Sequence, residues 1–534
     1  MQSMIISWGH RIYDYWSNLL LAIYQSSITG QFFLSLKQTY HNGVVSSLLN
    51  GDYARHSRSY RLLSSIMSFI QDHLRLPARW QNKQLEILLA AVTVLIAMTA
   101  LSFYQQPMEQ AGVFLAAMLL AGITFYRTEY GLYSAALLLP FLPQKALFGL
   151  AMLCLCSMLW HMTAKGKTRL HMTPVFVPLL LFYLVMFVAT VTSVSFWDSV
   201  SEFVIPVIGL LFLLVIVNTI DSKDKLDNLL LTMVVAGLIT ASYAVYQFHA
   251  GVIATEVNKA WVDLVENPTV MNRAYAVFEN PNLLAQYTIL ISMLSIGTLL
   301  SVKRFSYQLL CSATVVVAAY CLLLTYSRGG WLAFVGALLI LALFKNKALA
   351  SIVLAAAAGV YTMLPLSITS RLATITSTKD TSNLYRLDTW SSTLEVIKNH
   401  WETGVGLGRR AFSRVFYTHM INSNTVPHSH NLYLQLISEF GILGLAIFCW
   451  LFIVILRIGL KLSSLRDTWA RSITAGVMGA FAGFFIHSMV DYFLWYYKIA
   501  IFIWLLVAIV LVLERIALKN KDNERNESVA KAAG

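Results

Sequence analysis

The sequence predicts an all-α fold, a polytopic helical membrane protein with about 12–14 transmembrane helices. Composition is the first reason. Of 534 residues, 57% are hydrophobic and 12% charged, with a mean hydropathy of +0.65; soluble domains run about 45–50% apolar and about 25% charged. The second reason is that apolar residues gather in runs of roughly 20, the length that crosses a bilayer. Those runs are unbroken rather than alternating, which selects helices over a β-barrel. The third is that Lys and Arg collect in the short loops between alternate runs, the pattern that orients a membrane protein. Together these exclude an ordinary cytosolic enzyme, a disordered regulator and a disulfide-stapled secreted domain.

Residues 1–83 form a basic amphipathic segment. Ile12, Trp16, Leu19, Leu20 and Tyr24 supply an apolar side, with Arg55, Arg58, Arg61, Arg75, Arg79 and Lys83 following. Such a segment is expected either to lie on the cytoplasmic membrane surface or to form a weakly ordered tail. Its one apolar stretch, Leu19 to Tyr24, is too short for a cleavable signal. Spans are expected at 85–104, 109–126, 130–143, 145–162, 174–193, 199–219, 226–249, 280–301, 306–326, 329–345, 347–366, 442–460, 470–492 and 497–515, the third interrupted by Pro140 and Pro143. Membrane helices therefore occupy 84–366 and 430–518, separated by a long loop at 367–429 and followed by a solvated tail at 519–534. Cys154, Cys156, Cys311, Cys321 and Cys449 lie in apolar runs and are expected as small buried hydrophobes.

The net charge of +13 sets the orientation. Lys165, Lys167 and Arg169, then Lys303 with Arg304, Lys345 with Lys347, and Arg457, Lys461, Arg466 and Arg471 mark cytoplasmic loops. These alternate correctly with the spans, which places both termini in the cytoplasm and the protein, multi-pass, in the plasma (inner) membrane. The long loop on the outer side carries Arg371, Lys379, Arg386, Lys398, Arg409, Arg410 and Arg414 against Asp380, Asp388, Glu395 and Glu402. Translocation of a long loop regardless of charge explains this excess, and so does an anionic ligand.

Four polar clusters share that outer side. Thr325-Tyr326-Ser327-Arg328-Gly329-Gly330-Trp331 reads as a tight turn between spans, with the glycines allowing the turn. Arg273 precedes Phe278-Glu279-Asn280-Pro281-Asn282, where Asn280 suits an N-cap and Pro281 the first helical turn; capping does not explain Arg273. Asn383 through Trp390 leads to Gly404-Val405-Gly406-Leu407-Gly408, a turn before another loop helix and not a nucleotide loop. Pro427-His428-Ser429-His430-Asn431 opens an amphipathic stretch that runs through Glu439 into the next span. With no Cys or acidic ligand set beside the two histidines, no metal site is expected. A histidine of near-neutral pKa suits removal of a proton from a hydroxyl, although capping explains the same residues. His487 and Asp491 stand four apart, on one face of the last turn of the 470–492 span, as a supporting pair or a packing contact.

These segments resemble the O-antigen ligase/polymerase superfamily. Ser327-Arg328-Gly329-Gly330, Asn280-Pro281-Asn282, the Arg386…Trp390…Gly406 stretch, and His428-Ser429-His430-Asn431 followed by Leu434, Glu439, Gly441 and Gly444 carry the likeness, over roughly residues 85–515. Where the ligases have Arg-x3-Leu, this chain has Arg386-x3-Trp390. The resemblance implies a GT-C-like, inverting, metal-independent glycosyltransferase without cofactors. Its donor would be a polyprenyl-diphosphate-linked glycan and its acceptor a glycan, glycolipid or protein, with membrane lipids as surroundings and no nucleic acid. It also implies that Arg328, Arg386 and then Arg273 hold the diphosphate, with His430 as base and His428 second to it; Asn431, Glu439, His487 and Asp491 would support them.

Trp261-Val262-Asp263, Arg273 through Leu284 and Cys321 through Trp331 are also similar to a branch of the same superfamily named for inorganic-carbon (bicarbonate) transport. The lack of inverted repeats and of a charged pair at the membrane midplane speaks against an anion transporter. A structural subunit in which these groups only pack is the third alternative.

Overall fold

A computed structural model describes residues 107–164, 170–171, 173, 175–252, 272–362, 365–373, 381–420 and 426–533. The chain divides into two compact units, Leu76–His171 with Pro178–Gly534, and Met1–Arg75 with Met172–Val177. The first holds the polar clusters. Nearly all of the second lies outside the described residues, as do the whole amphipathic segment expected at 1–83, the span expected at 85–104 and Trp261-Val262-Asp263.

Among the described residues the regular elements are all helical. In order they are α1 (Pro107–Tyr126), α2 (Thr128–Leu138), α3 (Gln144–Ala164), α4 (Phe176–Val191), α5 (Phe196–Thr219) and α6 (Lys223–His249), then a 3₁₀ turn (Ala276–Phe278) and α7 (Pro281–Leu299). They continue with α8 (Phe305–Leu324), α9 (Arg328–Lys345), α10 (Lys347–Tyr361), α11 (Leu366–Ala373), α12 (Thr381–His400) and α13 (Arg409–His419). The last three are α14 (Leu432–Ser463), α15 (Thr468–His487) and α16 (Tyr497–Ala533). Nine of these, α3, α5 to α9 and α14 to α16, are long and apolar enough to cross a membrane, and three further apolar stretches are shorter: Leu115–Tyr126, Phe176–Val191 and Ala350–Gly359. The chain is an all-α, multi-pass membrane protein.

The differences from expectation have local causes. α2 stops at Leu138, ahead of Pro140, because a helix cannot continue readily through proline. α10 has 15 residues; at 1.5 Å per residue it reaches roughly 22 Å, less than the roughly 30 Å hydrocarbon layer. α16 continues as a helix through the tail to Ala533. Cys154, Cys311 and Cys321 are buried as expected, but Cys156 and Cys449 are exposed on the outside of α3 and α14, surfaces that lipid covers as readily as protein does.

The core of the bundle is α7, α15 and α16, buried over 83%, 78% and 89% of their apolar stretches. A helix that is apolar all round belongs inside, and α16 is the clearest example. Close approach among α7, α9 and α15 depends on small residues, the packing device of membrane helices. A Cβ at Gly476 would stand 2.6 Å from Met293 O, and one at Gly479 2.9 Å from Ala337 O.

α14 is two helical segments joined at Gly441, whose φ of 67° is left-handed. The amphipathic stretch and the span expected from the sequence meet at this kink. The break frees backbone groups that must find partners, and the segment after α12 supplies them. Ile442 N donates to Trp401 O at 2.8 Å and Val405 N donates to Ser438 O at 2.8 Å. Gly404, Gly406 and Gly408 all have positive φ, and α13 follows directly, as the sequence predicts. α13 is held to the start of α5 by Arg409–Glu202 at 3.4 Å and Arg410–Asp198 at 3.2 Å.

Candidate active site

Polar residues from several loops converge at one end of these helices. Each loop is shaped by its own capping residue. Asn280 Oδ1 accepts from Asn282 N and Leu283 N, with Pro281 opening α7. Ser327 Oγ accepts from Gly330 N at the start of α9, and Asn431 Oδ1 accepts from Tyr433 N and Leu434 N at the start of α14. Among the described residues, the four non-glycine residues of positive φ, Ala276, Glu279, Tyr326 and His430, lie on these loops. Such conformations cost about 1–3 kcal/mol each and concentrate at functional sites.

Two expectations are corrected here. Gly329 and Gly330 do not make the α8–α9 turn; Tyr326, at φ 51°, does, and both glycines lie inside the first turn of α9. They allow close contact: a Cβ at Gly329 would meet Val490 Cγ2 at 2.7 Å and His487 Cδ2 at 3.1 Å, and one at Gly330 would stand 3.0 Å from Ala285 Cβ. His487 and Asp491 do not share a helical face either, because α15 ends at His487 and Asp491 lies in the link to α16. Their partners differ. His487 donates from Nδ1 to Gln286 Oε1 at 3.0 Å and accepts at Nε2 from Ser327 Oγ at 3.4 Å, which braces the residue just ahead of Arg328.

Asp491 meets the histidine loop. Its Oδ1 lies 3.1 Å from His430 Nδ1 and accepts from Tyr492 N at 2.8 Å, while Oδ2 accepts from Asn282 Nδ2 at 2.9 Å. Burial alone would raise the Asp491 carboxyl, but its hydrogen bond to His430 and the nearby positive charges outweigh that and hold it well below the usual carboxylate range. A carboxylate on Nδ1 fixes the tautomer and leaves Nε2 as the ring's lone pair. The His430 ring also faces the Tyr385 ring, with centroids 5.7 Å apart.

His428 is placed differently. It is 3% exposed and packed against the rings of Tyr492, Trp495 and Tyr496. Its Nδ1 accepts the backbone N–H of His430 at 3.2 Å, a bond that protonation of that nitrogen would destroy. Burial, and then the neighbouring His430, push its pKa down to about 3. It is a neutral group that shapes the loop.

Four arginines gather beside the pair: Arg371, Arg386 and Arg328 act on Arg273, and Arg273 and Arg386 also feel Asp491. Arg273, 6% exposed, donates from Nε to Thr325 O at 2.7 Å and from Nη2 to Asn282 Oδ1 at 3.1 Å. Arg328, 8% exposed, donates from Nη2 to Asn383 Oδ1 at 3.3 Å. Arg386 donates from Nε to Val490 O at 2.9 Å and from Nη1 to Ser382 Oγ at 3.0 Å. The fourth is buried Arg371 of α11. Burial, then the charges of Arg371, Arg386 and Arg328, bring Arg273 down to about 9, with Asp491 acting in the opposite direction. It is still a cation at neutral pH.

The sequence treats Arg371 only as one of the loop's charges; its place on the buried side of α11 separates it from them. Asn282, Asn383 and Tyr385 also emerge only in three dimensions. Asn282 had one legible sign: Asn280 already serves as the cap, so a second asparagine at that helix start is not needed for capping.

Among the described residues, His428, His430 and Asp491 form a trio whose donor atoms lie within 4.8 Å of one another. Asp491 thus provides the acidic partner that the sequence around the histidines lacks. Yet His428 Nδ1 and both Asp491 oxygens already hold hydrogen bonds, and four guanidinium groups make the surroundings unfavourable for a cation. The arrangement suits a hydrogen-bonded His–Asp pair beside an anion seat.

Glu439, assigned a supporting role, does not reach His430 directly. Its Oε1 accepts from Gln435 Nε2 at 2.8 Å, and Gln435 Oε1 accepts from Ser429 N at 2.8 Å. Asn431 likewise acts on the backbone, donating from Nδ2 to Met489 O at 2.9 Å besides capping α14.

Residues 313–449 match the family model described as O-Antigen ligase. The matched region runs from α8 through the arginines of α9, α11 and α12 and the histidine loop into α14. This O-antigen ligase likeness supports a general role in ligation or polymerisation of surface polysaccharide. The resemblance to the inorganic-carbon branch finds no counterpart in the comparisons, and no curated protein matches the chain.

Proposed function

We propose that the chain is an inverting, metal-independent glycosyltransferase of GT-C-like type. It transfers a polyprenyl-diphosphate-linked glycan to an acceptor hydroxyl at the outer face of the plasma membrane. Arg328, Arg386, Arg273 and Arg371 would seat the diphosphate. Planar guanidinium forks match phosphate oxygens in pairs and stabilise the charge that grows on the leaving group.

The acceptor oxygen attacks the anomeric carbon from the face opposite the diphosphate. The carbon–oxygen bond to the diphosphate breaks, and its electron pair leaves with the prenyl diphosphate. His430 Nε2 takes the acceptor proton, and Asp491 stabilises the imidazolium that forms, as a carboxylate does behind a catalytic histidine. No nucleotide is required, because the glycosyl–diphosphate linkage already carries the activation.

The single observation that supports this reading best is the His430–Asp491 pair set beside four arginines. Guanidinium forks gathered in one place, with Arg273 and Arg328 buried among them, match the oxygens of an anionic occupant and offer it charge-assisted hydrogen bonds. Purified protein in lipid vesicles, given donor extracted from a strain lacking the chain, provides the test. Transfer should proceed in EDTA, invert the anomeric configuration, and fail in His430→Ala and Arg328→Ala proteins that insert normally. Retention of configuration, or full activity in either variant, would overturn the assignment.

A further inference from the structure

Asn282 touches both halves of the site. Its carboxamide Oδ1 accepts from Arg273 Nη2 at 3.1 Å, and its Nδ2 donates to Asp491 Oδ2 at 2.9 Å. The two ends cannot exchange roles. A guanidinium has no acceptor and an ionised carboxylate has no donor, so the neighbours dictate the amide's orientation. The residue is itself immobilised, since its backbone N–H is held by Asn280 Oδ1 at 2.8 Å. Beyond these contacts, Arg273 is tied to Thr325 O and Asp491 to His430. A continuous path of hydrogen bonds therefore runs from a buried guanidinium to the imidazole.

We propose that Asn282 is a positioning residue that couples occupation of the arginine cluster by a diphosphate to the setting of the His430–Asp491 pair. The inference rests on the proposed function and adds a residue and a mechanism to it. A phosphate drawing on Arg273 alters what Oδ1 receives, and the strength of the Nδ2 bond to Asp491 follows, because linked hydrogen bonds polarise one another. The base is then set when a donor is in place. The other ionisable groups facing this pair are Arg386 and Tyr385 from α12, His428 from its own loop, His487 from the end of α15 and Tyr496 from the link to α16, while Arg328 from α9 and Arg371 from α11 face Arg273.

Two variants separate coupling from packing. Asn282→Ala removes both bonds; displacing a reacting group in this way costs about 10²-fold, so kcat should fall by that order while the donor KM rises. Asn282→Asp keeps an acceptor for Arg273 but turns a like charge toward Asp491. That charge favours protonated His430, so the acid limb of the kcat profile moves to higher pH and activity recovers on the alkaline side. A packing role alone would reduce the yield of folded protein and leave that limb in place.

A measurement independent of transfer uses inorganic pyrophosphate as the probe, with diethylpyrocarbonate labelling of His430 followed by mass spectrometry. Pyrophosphate should change the labelling rate in the parent protein, and this response should be lost in Asn282→Ala, which still binds pyrophosphate through Arg328 and Arg386. An equal response in both proteins would overturn the coupling. Failure of pyrophosphate to bind the parent protein would remove the coupling and the proposed function together. A pyrophosphate response in a protein that transfers no glycan would remove only the proposed reaction.

Discussion

His428 and His430 are two residues apart, yet the fold gives them different chemistry. His430 carries a carboxylate on Nδ1 and is partly open, whereas His428 is sealed by aromatic rings and accepts a backbone N–H. Replacing His430 by Ala should reduce transfer by about 100- to 10,000-fold, the usual contribution of a general base, as measured by single-turnover kinetics with extracted donor. His428→Gln should instead change the response of stability to acid. The unfolded histidine binds a proton below roughly pH 6.5, but the folded one resists protonation down to about 3. Between those values protonation favours unfolding, so stability falls as pH is lowered. Thermal unfolding in detergent at pH 7 and pH 5 should show a smaller acid-induced loss for His428→Gln than for the parent protein. Arg328→Lys should not restore function lost in Arg328→Ala, because an ammonium cannot reproduce the two-pronged contact of a guanidinium; donor KM is the quantity to compare. The sequence distinguishes His430 from its neighbour only through family resemblance, since the pairing with Asp491 spans 61 positions.

At the scale of elements, helix starts were the most legible feature. Asn280-Pro281 and the Gly404–Gly408 turn behave as local chemistry requires, because caps and left-handed turns are decided by neighbouring residues. The glycines of the α8–α9 segment were misread for a corresponding reason. Gly329 makes room for His487 and Val490 and Gly330 for Ala285 of α7, contacts that no local pattern encodes. Gly441 illustrates both kinds of demand. It permits the left-handed kink, and a Cβ there would approach Glu402 O to 2.2 Å and Trp401 O to 2.9 Å. Gly441→Ala should therefore destabilise the protein by about 1–3 kcal/mol from conformation alone, with the clash added. A lower unfolding midpoint together with new protease sensitivity between α12 and α13 would report it; an unchanged midpoint would show that the kink relaxes without cost.

For the whole molecule, composition and charge placement were enough to reveal a multi-pass helical membrane protein. They were not enough to count its spans, because stretches of α1, α4 and α10 are apolar yet short. The charge excess of the long loop also resolves into different parts in three dimensions. Arg409 and Arg410 pair with Glu202 and Asp198 on α5, and Lys398 pairs with Glu395. Arg371, Arg386 and Arg328 instead lie near the buried Arg273, and Arg273 and Arg386 also feel Asp491. Sequence arithmetic cannot make that division, since it depends on which charges the bundle encloses. The central claim is that this enclosed cluster receives a prenyl-diphosphate glycan and releases prenyl diphosphate. Mass spectrometry of lipid-linked glycans in a deletion strain carrying either the parent gene or Arg328→Ala tests it most directly. The prenyl-diphosphate glycan should accumulate with Arg328→Ala and return to its normal level with the parent gene. An unchanged lipid-linked pool, with bicarbonate uptake lost in its place, would contradict it.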